Sequence, residues 1–177
     1  LSMYEAKRSG KNTARVFDPQ MRTELADRLE LEAELRGALG TGAFLIHLQP
    51  QLDAGGRLIG AEALLRWNRI GCGMAPPGLF IPLAEQAGLM PALGREAMAL
   101  ACEELARWAE LPGATGLVMA VNISAAQLYE PGFVEEVLAL LARTGAPAER
   151  LKLELTESLL LTDIERAIEA MTRLREM

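Results

Sequence analysis

From Phe44 onward the apolar residues of this chain keep changing period, and each change predicts an element. Residues 44–51 read as a strand, and Asp53, Ala54, Gly55, Gly56 and Arg57 read as a turn into a second strand over 58–67. A Gly- and Pro-rich loop follows over 69–78, then a short helix over 79–87 and a long amphipathic one over 91–109, with Pro91 near its start. An apolar strand over 117–123, a helix over 131–144, a strand over 151–156 and a helix over 163–177 complete the pattern. After the opening strand pair this is a β/α alternation. It predicts an α/β fold with a largely parallel sheet of about four strands and helices outside it, either an open sheet or half of an eight-stranded barrel.

Upstream, Met21, Leu25 and Leu29, then Leu31, Leu35 and Leu39, recur at four-residue steps among charged residues. This predicts a helix over 20–40, read either as a linker packing on the domain that follows or as a dimeric coiled coil. Sustained heptads are not evident. Residues 1–19 read as the end of a helix, a stop at Gly10 and a short strand closing at Asp18-Pro19. The chain does not begin with Met and ends inside an amphipathic run, which reads as a piece of a longer protein.

The strand over 58–67, LIGAEALLRW, puts a carboxylate and a guanidinium into an apolar run. Alternation sets Gly60, Glu62, Leu64 and Arg66 on one face and Ile59, Ala61, Ala63, Leu65 and Trp67 on the other. Burying either charge without a partner is costly, so each must be met; a cation for Glu62 and a phosphate for Arg66 would do so. Asn122 ends the third strand, and Glu154 shares a face of the fourth with Lys152 and Thr156. Carboxyl ends of parallel strands are where α/β folds place their sites. Two carboxylates and an amide suit a hard cation such as Mg²⁺ or Mn²⁺. Structural alternatives stand beside each residue: Asn122 as a strand-end cap, Glu62 and Arg66 as an ion pair on one strand face, Glu157 as an acid at a helix start. His47 alternates in phase with Gln49 and reads as a polar filler on that face rather than a base.

Composition narrows the partners. The 177 residues are 50% hydrophobic and 24% charged, with net charge -6. That is a globular balance, and its acidity argues against a broad grip on a nucleic acid polymer. Cys72 and Cys102 are too few for a disulfide framework and point to a reducing, cytoplasmic setting, with any membrane anchor placed in other regions of the protein. No apolar run reaches membrane-spanning length, so no membrane contact is expected from this segment. With His47 the single histidine, His-rich zinc chemistry is excluded and any metal would take oxygen ligands.

The segments LQPQLD (48–53), AEALLRW (61–67), FIPLAEQAGL (80–89), VNISAAQL (121–128) and LKLELTES (151–158) occur in an order and spacing that resembles EAL domains, the cyclic di-GMP phosphodiesterases. The likeness spans roughly residues 29–177. Residues 1–19, with MYEAKRSG, resemble the tail of a GGDEF diguanylate cyclase domain, which gives a division into a GGDEF-like remnant (1–19), a linker helix (20–40) and the first half of an EAL domain (41–177). The resemblance implies a partial (β/α)₈ barrel of about its first four strands, the first antiparallel, and hydrolysis of cyclic di-GMP to the linear dinucleotide with Mg²⁺ or Mn²⁺. By motif match Glu62, Asn122 and Glu154 would be metal ligands, Glu62 and Glu157 catalytic, and Gln49, Leu65 and Arg66 substrate-binding. A homodimer through the EAL domain or the linker helix is a further implication.

Two departures matter. After LLRW the family usually has His-Pro, where this chain has Arg69-Ile70 and a small-residue loop. The family's paired-aspartate motif, its lysine and a later acidic strand end would fall beyond Met177. The 177-residue chain by itself is therefore expected to be inactive. The alternative function is a non-catalytic, cyclic di-GMP-binding regulatory EAL module.

Overall fold

In the computed structural model the described residues are 19–155 and 164–175. The expected GGDEF-like tail, Thr156 and Glu157 lie outside them. The chain divides into two compact units, Leu1–Gly37 and Ala38–Met177. The first contributes most of helix α1 (Pro19–Ala38), where Arg36 pairs with Glu32 one turn back at 3.0 Å.

The second unit is built on β1 (Phe44–Leu52), β2 (Leu58–Arg69), β3 (Gly73–Ala75), β4 (Val118–Ile123) and β5 (Leu151–Leu155). The sheet runs β1-β2-β4-β5, with β3 paired to β2. β1 meets β2 antiparallel, from Phe44 opposite Trp67 to Leu52 opposite Leu58, whereas β2–β4 and β4–β5 are parallel. Crossovers supply the helices: α2 (Pro77–Ala87) and α3 (Met90–Glu110) between β2 and β4, then α4 (Ala125–Leu128) and α5 (Phe133–Thr144) between β4 and β5. Helix α6 (Ile164–Arg175) follows. This is the expected α/β arrangement, a partial barrel with an antiparallel first strand.

One difference is a strand inside the expected loop over 69–78. Gly71 and Gly73 take positive φ (74° and 78°), a conformation that lets the chain reverse tightly. The return pairs Trp67, Asn68 and Arg69 with Ala75, Met74 and Gly73. The helix expected over 131–144 starts instead at Phe133, because Gly132 at its N-cap has φ 87°.

The core lies between the sheet and its helices. Ala61 and Ala63 of β2 and Met119, Val121 and Ile123 of β4 are buried against Met98, Ala101, Cys102 and Leu105 of α3 and Val134, Val137 and Leu141 of α5. The α3 residues recur at three- and four-residue steps, one stripe of the helix. At the carboxyl end of β2, Trp67 stacks on Phe44 (centroids 6.1 Å apart) and meets Phe80 of α2 edge-on at 6.0 Å. That aromatic cluster anchors the end of the strand from which Arg66 projects. Gly60 of β2 is buried so close to β4 that a Cβ would overlap the Val118 carbonyl. Among the described residues no helix is long and apolar enough to cross a membrane.

Candidate active site

Alternation along β2 decides which face carries chemistry. Ala61, Ala63 and Trp67 are 5%, 6% and 2% exposed on the helix-covered face, while Glu62, Leu64 and Arg66 point to the opposite, partly open face. The β1–β2 register puts Gln49 opposite Glu62 and His47 opposite Leu64, so both continue that open face across β1, where both are exposed.

Asn122 and Glu154 extend the row to the other side. Asn122 of β4 faces Glu154 of β5 in the parallel register. Glu62 is level with Ala120, two residues earlier along β4, yet Asn122 Nδ2 donates to Glu62 Oε1 at 2.5 Å. The two side chains close the stagger diagonally. Glu154 accepts from Lys152 Nζ at 2.6 Å, an ion pair within one strand face. The strand-end capping role goes to Ser124, the N-cap of α4, which leaves the Asn122 amide for Glu62.

Arg66 lies four residues beyond Glu62. No ion pair joins the two among the described residues; the guanidinium donates to the Leu65 carbonyl at 2.9 Å. Leu65, Arg66 and Asn122 line a cleft of about 240 Å³ with Glu85, Ser124 and Gln127. Gln127 is not among the residues expected from the sequence, although Ser124-x-x-Gln127 is a capping-box pattern. Neither is Lys152, although Lys152 and Glu154 share a strand face two residues apart. Glu157 lies outside the described residues.

An α/β half-barrel in which a glutamate and an asparagine meet across neighbouring parallel strands, with a second glutamate level with the asparagine on the next strand and an arginine at a cleft nearby, has the donor types that suit a hard cation and an anionic ligand. Residues 32–177 match the EAL domain family, and the chain belongs to it. It is 35% identical over 99% of its length to the bifunctional diguanylate cyclase/cyclic di-GMP phosphodiesterase MucR of Pseudomonas aeruginosa, covering 26% of that protein. It is 36% identical over its full length to the cyclic di-GMP phosphodiesterase NbdA of the same organism, covering 23% of it. It thus spans about a quarter of the length of these curated relatives. The solved structure of the MucR phosphodiesterase in complex with c-di-GMP superposes with a TM-score of 0.76 at 35% identity, covering 83% of this chain and 60% of that one.

Proposed function

We propose that this chain is the first half of the EAL domain of a cyclic di-GMP phosphodiesterase, and that Glu62, Asn122 and Glu154 hold its divalent cation, Mg²⁺ or Mn²⁺. The observation that carries the reading is the convergence of Glu62 on Asn122, with Glu154 opposite Asn122 on the next strand. The donor set fits such an ion: two carboxylates and an amide, all oxygen donors. Among the described residues no three His, Cys, Asp or Glu side chains gather at one point, so the set is partial there.

When bound, the cation would polarise the phosphodiester and activate a water. The chain's own residues do the positioning. Arg66, with its planar fork of donors at the cleft, grips a phosphate of cyclic di-GMP. Leu65 and Gln49 contact the substrate around it, and Glu157 of the ELTE motif is catalytic. Hydrolysis forms one bond from water oxygen to phosphorus and breaks one bond from phosphorus to a ribose oxygen; the ribose oxygen leaves with a proton, giving the linear dinucleotide.

The domain division proposed is a GGDEF-like tail over 1–19, a linker helix over 20–40 and the EAL half over 41–177. The alignment with a relative named as both cyclase and phosphodiesterase, over 99% of this chain, supports it. The test is turnover. The full-length protein, given cyclic di-GMP with Mg²⁺ or Mn²⁺, should yield linear dinucleotide by chromatography, and Glu62→Ala should abolish it. The 177-residue fragment should stay at background. Tight binding without turnover by the full-length protein would instead make the domain a cyclic di-GMP-binding regulatory module.

A further inference from the structure

We propose that Gln127 is a positioning residue that fixes Asn122 at the site by wedging its carboxamide between the start of α4 and Gly94 of α3; the inference rests on the reading of Asn122 as part of a divalent-cation site. Backbone pairing explains why such a residue is needed. The β2–β4 ladder ends at Ala63 opposite Val121, so Asn122 and Ile123 continue with strand pairing to β5 on one side. On the other side the Asn122 side chain reaches Glu62, and its backbone is set by how the chain leaves the strand.

That exit is locked from two directions. Ser124 N–H donates to Gln127 Oε1 at 3.2 Å, Ser124 Oγ–H donates to the same oxygen at 3.1 Å, and Gln127 N–H donates to Ser124 Oγ at 3.3 Å. The reciprocal bonds form a capping box that sets the backbone direction two residues after Asn122. Gln127 is 4% exposed, the buried polar side chain among the described residues. Its carboxamide lies where a Cβ on residue 94 would be, and the overlap would be with every heavy atom of that group. Glycine is a poor choice in the middle of a helix unless another group must come that close. Helix α3 therefore has a notch at Gly94, and Gln127 fills it. Gln127 and Gly94 also line the cleft that Asn122 and Arg66 line.

The test measures Mn²⁺ affinity by calorimetry on the full-length protein. Gln127→Leu keeps the volume and removes the two bonds that Gln127 Oε1 accepts, leaving the backbone bond from Gln127 N–H to Ser124 Oγ; Gly94→Ala keeps Gln127 and closes its notch. Each should weaken Mn²⁺ binding by about tenfold or more, as partners that orient metal ligands do. In an Asn122→Ala background the same changes should add no further loss, because residues acting through one group are not additive. A residue that served only the fold would lower the melting temperature and leave Mn²⁺ affinity unchanged, or would add its loss to that of Asn122→Ala; either result overturns the inference. If Gln127→Leu does not fold, Ser124→Ala, which removes the hydroxyl half of the cap, carries the same expectations. Mn²⁺ bound by wild type, lost in Glu62→Gln and unaffected by Gln127→Leu would overturn the positioning role alone. A wild type that binds no Mn²⁺ would overturn the site reading beneath it.

Discussion

Glu62→Gln tests the site by removing one charge and little else. Glutamine keeps an oxygen where Asn122 Nδ2 now donates at 2.5 Å, so the diagonal link between β2 and β4 survives the change. What is lost is the carboxylate's negative charge on a face that is only half-buried. A divalent cation about 3 Å from that charge is held by roughly 3 kcal/mol even at the dielectric of bulk water, which is about a hundredfold in affinity. Partial burial makes that figure a floor. The full-length variant should therefore show Mn²⁺ affinity at least about a hundredfold weaker by calorimetry, with a thermal midpoint within a few degrees of wild type. Turnover of cyclic di-GMP should fall to background. Wild-type affinity and turnover in a folded Glu62→Gln protein would refute the assignment, because no other role of Glu62 predicts a charge-specific loss.

Four further outcomes are expected. Arg66→Ala should raise the Kd for cyclic di-GMP by roughly ten- to a hundredfold, the range for a charge-assisted hydrogen bond, and leave Mn²⁺ affinity in place; unfolding with loss of metal would mean that Arg66 is structural. Gly60→Ala should destabilise by about 1–3 kcal/mol, seen as a lower denaturant midpoint at unchanged slope, because the new methyl meets the Val118 carbonyl of a backbone that cannot yield; an unchanged midpoint would contradict that contact. Burial pushes the Cys102 thiol from 9.0 up to about 11, so the folded protein keeps this proton where the unfolded chain gives it up. The contribution of Cys102 to stability should accordingly be full below pH 9.0 and decline as pH rises toward about 11. At pH 8 a thiol reagent should label exposed Cys72 and spare Cys102, as read by peptide mass spectrometry.

Much of this domain was legible in the sequence because the signals are local. Side chains two apart in a strand share a face whatever lies around them, so LIGAEALLRW already separated Glu62 and Arg66 from Ala61, Ala63 and Trp67. The α3 stripe and the β/α alternation are periodic in the same sense, and five spaced motifs carried the family resemblance. β3 escaped, since three residues are too few to show a period and its pairing depends on two glycines reversing the chain.

Register belongs to tertiary structure. That Glu62 is level with Ala120 while its carboxylate reaches Asn122, and that Asn122 faces Glu154, depends on how three strands slide past one another. No single strand encodes that offset; the helices packed on the far face set it by burying Ala61, Ala63, Met119 and Val121 together. The Gln127 wedge divides along the same line. Its capping box is written within four residues, but the notch that seats it is a glycine 33 positions earlier in the sequence. The sequence determined which side chains could do chemistry and which way each strand presented them. Which of them meet was decided by packing, because contacts between distant residues exist only once the apolar faces have closed on one another.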